Sequence, residues 1–145
     1  MIYHKQKQEW SCWPACIKMI FSKLGKNLSE DFLIKKLKTN HKLGTSTKNI
    51  INFLKKESII FTYHVNWNIK KMNHYLENNI ILIRYHLPKE KTDHYALYVW
   101  LKEWRVHLWD PWYGKNHTYS VDYFNKHRKS TREWYEKWFI AIKID

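Results

Sequence analysis

The chain has 145 residues, 26 Lys and Arg against 13 Asp and Glu, and a formal net charge of +13. That length suits one domain, 1–145, whose core is large enough to need neither a disulfide framework nor a structural metal. A hydrophobic fraction of 44% excludes disorder, and three Gly with three Pro exclude collagen-like and low-complexity chains.

In chain order, Met1-Ile2-Tyr3-His4-Lys5 lacks the apolar run of a signal peptide. The first helix is predicted over 13–25, with Pro14 in the first turn, Ile17, Ile20, Phe21 and Leu24 on one face, and Gly25 as the stop. A second follows Ser29 through Phe32, Leu33 and Leu37. A third is opened by Gly44-Thr45-Ser46, with Ile50, Ile51 and Leu54 sharing a face, and a fourth spans 68–78. Between and after these helices β-branched and aromatic runs predict strands over 58–65, 80–85, 94–100, 104–109 and 138–143. Helices first and a mostly antiparallel sheet afterwards define an α+β fold, expected to carry its helices on one side of the sheet.

No run approaches the roughly 18 apolar residues of a membrane helix, and two cysteines suit a reducing compartment. The chain is therefore expected to be soluble, cytoplasmic and complete as it stands. Its basic balance admits an anionic partner such as nucleic acid, but the Lys residues are spread along the chain, as on a solvated surface.

The most informative position is Cys12, at the N-terminal edge of the first helix. The positive end of a helix favours a thiolate, which becomes a nucleophile once a base and an orienting group reach it. A free cysteine is also a common small core residue, the reading that suits Cys16 one turn on. Nine histidines make chance matches easy, so spacing must choose the base. His94 begins one strand and Asp110 ends the next; a hairpin centred on Lys102 would set them directly opposite on one face. Asp110 could then accept the Nδ1–H of His94 and leave Nε2 for the sulfur. A two-residue turn would send the two side chains to opposite faces, so an odd-length loop or a bulge is required. As an Asp-Pro pair, Asp110 also fits a turn opener. Oxyanion donors are available in the Cys12 N–H and in Gln6 or Gln8 upstream.

These residues resemble the bacteriocin-processing, double-glycine leader peptidases, a cysteine peptidase family with a papain-like fold. The resemblance rests on Gln6 six residues before Cys12, then Gly44-Thr45-Ser46, His94-Tyr95-Ala96-Leu97 and Asp110-Pro111-Trp112-Tyr113-Gly114, in the family's order. It implies Cys12 as nucleophile, His94 as general base and acid, Asp110 as the histidine-orienting carboxylate and Gln6 as oxyanion donor. It implies a thiol hydrolase acting on a peptide or isopeptide bond of a peptide or protein substrate, acyl transfer being open to the same apparatus, with no cofactor and no metal. The family usually has glycine after the cysteine; here Trp13 stands, a ring whose bulk bears on the cleft. A catalytically silent binding module and a basic nucleic-acid binder are the competing readings. The intact Gln6, Cys12, His94 and Asp110 set argues against the first, and the use of Trp and Tyr as core material against the second.

Overall fold

The computed structural model describes residues 1–65, 68–87, 89–90, 92–127 and 138–144. Helices α1 (Cys12–Lys23), α2 (Glu30–Lys36) and α3 (Thr47–Lys56) come first, then β1 (Phe61–Val65), α4 (Ile69–Tyr75), β2 (Asn79–Leu87), β3 (Thr92–Lys102), β4 (Arg105–Asp110), β5 (Gly114–Ser120), α5 (Val121–His127) and β6 (Trp138–Lys143). The helix ends follow local chemistry. Ser29, Ser46 and Asn68 each accept a backbone N–H three residues on and cap α2, α3 and α4. Gly25, at φ 78°, ends α1 in the left-handed conformation that a side chain disfavours.

The strands form one sheet in the order β1-β6-β2-β3-β4-β5, and every neighbouring pair is antiparallel. Alternation along β2 builds two cores. Ile80 and Leu82 face α1, α2 and α3, while Ile81, Ile83, Tyr85 and Leu87 face the opposite side, where Met72 of α4 and Phe124 of α5 pack. The expected one-sided helical layer is thus corrected. The three N-terminal helices share a face, and the two short helices inserted among the strands cover the other.

Two further departures have local causes. The strand expected from Ser58 starts only at Phe61, because Ser58 (φ 57°) and the Ile59 N–H bonded to Leu54 O finish α3. Strand β5 and helix α5 were not anticipated, since Gly114–Ser120 is a polar, half-exposed edge strand without apolar alternation.

Candidate active site

Cys12 is the first residue of α1 and is buried at 7% exposure. Ser11 occupies the N-cap position, yet its side chain does not cap the helix. It turns instead to Glu30 Oε1 and takes the Gln8 N–H at 3.1 Å.

His94 and Asp110 come from the sheet. The β3–β4 hairpin closes through a two-residue turn, Glu103-Trp104, with Lys102 opposite Arg105, so the turn is not centred on Lys102. A bulge between Tyr98 and Trp100 then shifts the register, and Leu97 lies opposite Trp109. Continued by one step, that register sets Asp110 level with Ala96. His94 is therefore a diagonal neighbour of Asp110 on the same face, not a directly opposed one. The bulge supplies the change of parity that the pairing required.

The imidazole is held at 2.8 Å from Asp110 Oδ1, and it does so through Nε2. This corrects the expected orientation: Nδ1 is the nitrogen not engaged by Asp110, and the ring lines the same cleft as Cys12, whose sulfur helps to raise the imidazole. Asp110 is fully buried and saturated. Its Oδ1 also accepts the N–H groups of Trp112 and Tyr113 at 2.8 and 2.9 Å, and Tyr85 Oη donates to Oδ2 at 2.6 Å. One carboxylate thus both bonds the His94 ring and accepts the N–H groups of the turn that follows.

The electrostatics follow from this packing. Burial alone would favour a neutral imidazole, but the Asp110 carboxylate and the Cys12 sulfur outweigh it and push His94 up to about 10. Burial would raise Asp110, yet the His94 charge and the hydrogen bonds from His94, Tyr85 and the Tyr113 N–H hold it below the usual carboxylate range. Burial pushes Tyr85 well up, with the Asp110 charge adding to it, so Tyr85 remains a hydroxyl donor. Cys16 is wholly buried and burial drives its thiol up; its Sγ lies 3.5 Å from Tyr95 O.

Gln6 lines a cleft of about 710 Å³ together with Cys12, His94 and loop residues 38 and 40–46. Its Nε2 donates to Gln8 O at 2.7 Å and Glu9 O at 3.1 Å, while the buried Oε1 has no hydrogen-bond partner among the described residues. The Gln6 N–H donates to Pro111 O at 2.9 Å and Tyr3 Oη to Asp110 O at 2.8 Å, which ties the N-terminal segment to the loop after β4. Gln6, Cys12, His94 and Asp110 are therefore brought together. Trp13 does not enter the cleft: fully buried, it packs at 4.1 Å from Tyr95 and 5.6 Å from Trp138, ring centre to ring centre. Sequence reasoning missed Tyr85, which reads as an ordinary strand aromatic, and Glu30, which reads as a first-turn acid. It also missed Arg84, a buried guanidinium lining the cleft 4.0 Å from Asp93.

The sequence model of the peptidase C39 family matches residues 1–130. The chain belongs to that family. Among solved structures, the peptidase domain of Streptococcus ComA, a bi-functional ABC transporter involved in quorum sensing, is similar at TM-score 0.75 and 21% identity, with 98% of each chain covered. A double-glycine-motif protease from an AMS/PCAT transporter, solved with a leader peptide, reaches TM-score 0.76 at 12% identity, covering 98% of this chain and 90% of that one. At such identities the likeness is one of fold, and the α+β architecture is that of C39 peptidase domains. Comparison with curated protein sequences gives no match. Family and fold together make this C39 member a cysteine peptidase. No helix among the described residues is long and apolar enough to cross a membrane.

Proposed function

We propose that this C39 peptidase cleaves a leader-type peptide after small residues, with Cys12 as nucleophile, His94 as proton carrier and Asp110 as its anchor. The observation that carries this reading is the His94 ring, fixed to Asp110 through Nε2 and lining one open cleft with Cys12. Cys12 Sγ attacks the scissile carbonyl carbon and forms a C–S bond, while the carbonyl π pair moves onto oxygen. The Cys12 N–H stabilises that oxyanion; Gln6 Nε2 joins it by exchanging one of its two carbonyl partners for the substrate oxygen. Collapse breaks the C–N bond as His94 protonates the leaving amine, leaving a thioester and a neutral ring. Water then attacks the thioester, giving its proton to His94. Breakage of the C–S bond releases the carboxylate product and restores the thiolate–imidazolium pair.

The leader-type substrate is drawn from the relative solved with a leader peptide. It is supported by Trp13 lying in the core, where its ring leaves the cleft unobstructed. A peptide library profiled by mass spectrometry tests the reading: cuts are expected after Gly-Gly or similarly small pairs, and none with Cys12→Ala. Cleavage by the Cys12→Ala variant would refute the nucleophile, and cuts without preference for small residues would refute the substrate class. Gln6→Ala is expected to lower kcat by about 10²-fold with KM little changed.

A further inference from the structure

We propose that Glu30 is a positioning residue for the oxyanion-binding loop, a role that rests on the peptidase reading above. Glu30 opens α2, and an acid in the first turn of a helix ordinarily sits in solvent, where it complements the helix dipole. Here it is 1% exposed and aimed away from its own helix, at the segment that leads into Cys12. A buried carboxylate is costly unless its oxygens are satisfied, and those of Glu30 are satisfied almost entirely by that segment. Its Oε1 accepts the Lys7 N–H at 3.0 Å and lies 2.5 Å from Ser11 Oγ, and its Oε2 meets His4 Nε2 at 2.5 Å.

These contacts bracket the loop. His4 and Lys7 flank Gln6, and Ser11 immediately precedes Cys12. One side chain from α2 therefore sets the path of the backbone that carries both proposed oxyanion donors. The contact with Ser11 has a second effect. Serine is among the best N-cap residues, because its hydroxyl accepts an N–H of the first helical turn. At the N-cap of α1 the hydroxyl is instead engaged by Glu30 and by Gln8, and α1 carries no side-chain cap. Glu30 thus withholds the capping oxygen from the turn whose first N–H belongs to Cys12 and keeps that turn's donors for a substrate oxygen. Among the described residues Glu30 makes no direct contact with Cys12, His94 or Asp110, whose own bonds to Tyr85, Trp112 and Tyr113 hold the imidazole, so the thiol–imidazole pair should persist without it.

That separation makes the role testable. Steady-state hydrolysis of a cleaved peptide and the rate of Cys12 alkylation by iodoacetamide, which needs no oxyanion hole, are measured on wild type, Glu30→Ala and Glu30→Gln. In Glu30→Ala, kcat should fall by about 100-fold, the loss typical of a donor displaced by about an ångström. KM and the alkylation rate should stay within about twofold of wild type, and Cys16 should remain unlabelled as a sign of an intact fold. Glu30→Gln keeps an oxygen for Lys7 and Ser11 and should recover most of the lost rate. An unchanged kcat in Glu30→Ala would overturn the proposal, as would a parallel fall in kcat and alkylation, which would place Glu30 upstream of the thiol. Should Glu30→Ala not fold, Ser11→Ala reads the same link, with kcat down about tenfold at unchanged alkylation and wild-type kcat counting against it. Activity retained by Cys12→Ala would instead remove the peptidase mechanism itself, an outcome separate from every Glu30 result.

Discussion

Cys12 and Cys16 stand one helical turn apart and meet opposite surroundings. Cys12 borders the cleft and the His94 ring, whereas Cys16 is sealed in the core behind Tyr95. Iodoacetamide at neutral pH should therefore label Cys12 in the native protein and reach Cys16 only after denaturation, as peptide mass mapping will show; equal labelling would contradict the burial. The His94–Asp110 pair makes a second, pH-dependent prediction. His94 is raised to about 10, so activity that needs its proton should hold through neutral pH and fall as pH passes that value. Asp110→Asn removes the charge that counters burial. The alkaline limb should then move down toward or below the ordinary imidazole value of about 6.5, and a pH–kcat/KM profile reads the shift. Stability follows the same signs. The raised His94 contributes fully below about 6.5, and that contribution is lost as pH rises through about 10. The lowered Asp110 contributes above about 3.9, and its part is lost as pH falls through its depressed folded value.

The β3–β4 hairpin shows how an element can be legible while its register is not. Its turn residues Glu103 and Trp104 both adopt positive φ, 52° and 59°, the signature of a type I′ turn that usually selects Asn-Gly. Without those residue types the turn reads as a generic loop, and the bulge that follows leaves no mark in an unbroken apolar strand. Trp104 is 80% exposed, so little packing opposes its replacement. Trp104→Gly should relieve about 1 kcal/mol of left-handed strain and raise Tm by about 4 °C, measured by thermal circular dichroism; an unchanged or lower Tm would argue against strain there. Elsewhere the readable signals were the helix openings at Ser29 and Ser46, the Gly25 stop and the apolar strands. The face each strand residue serves was not readable in β2, where both faces are apolar and only packing distinguishes Ile80 and Leu82 from Ile81 and Ile83. The same limit applied to the site. Cys12, His94, Asp110 and Gln6 carry residue types tied to chemistry, whereas Tyr85 and Glu30 act through contacts that cross between elements distant in sequence.

On the scale of the whole molecule, the net charge of +13 is not concentrated in the cleft, whose lining sets Lys38, Lys42 and Arg84 against Glu9, Glu90 and Asp93. Like charges spread over a compact body repel one another and oppose folding, and ions screen that repulsion beyond about 8 Å at physiological strength. If the excess Lys residues form a solvated surface, raising NaCl from low to moderate concentration should raise Tm by a few degrees and leave peptide turnover nearly constant. If instead the charge serves nucleic acid, a labelled single-stranded oligonucleotide should bind at low salt and be released steeply as salt increases. The dispersed lysines favour the first outcome. Stacking platforms need accessible rings next to a basic track; Trp13 and Trp138 are enclosed, whereas Trp100, Trp104 and Trp112 are exposed, so oligonucleotide binding is decided by titration. Fluorescence anisotropy and a melting series over the same salt range decide between the two readings, and tight, salt-sensitive oligonucleotide binding would overturn the surface reading.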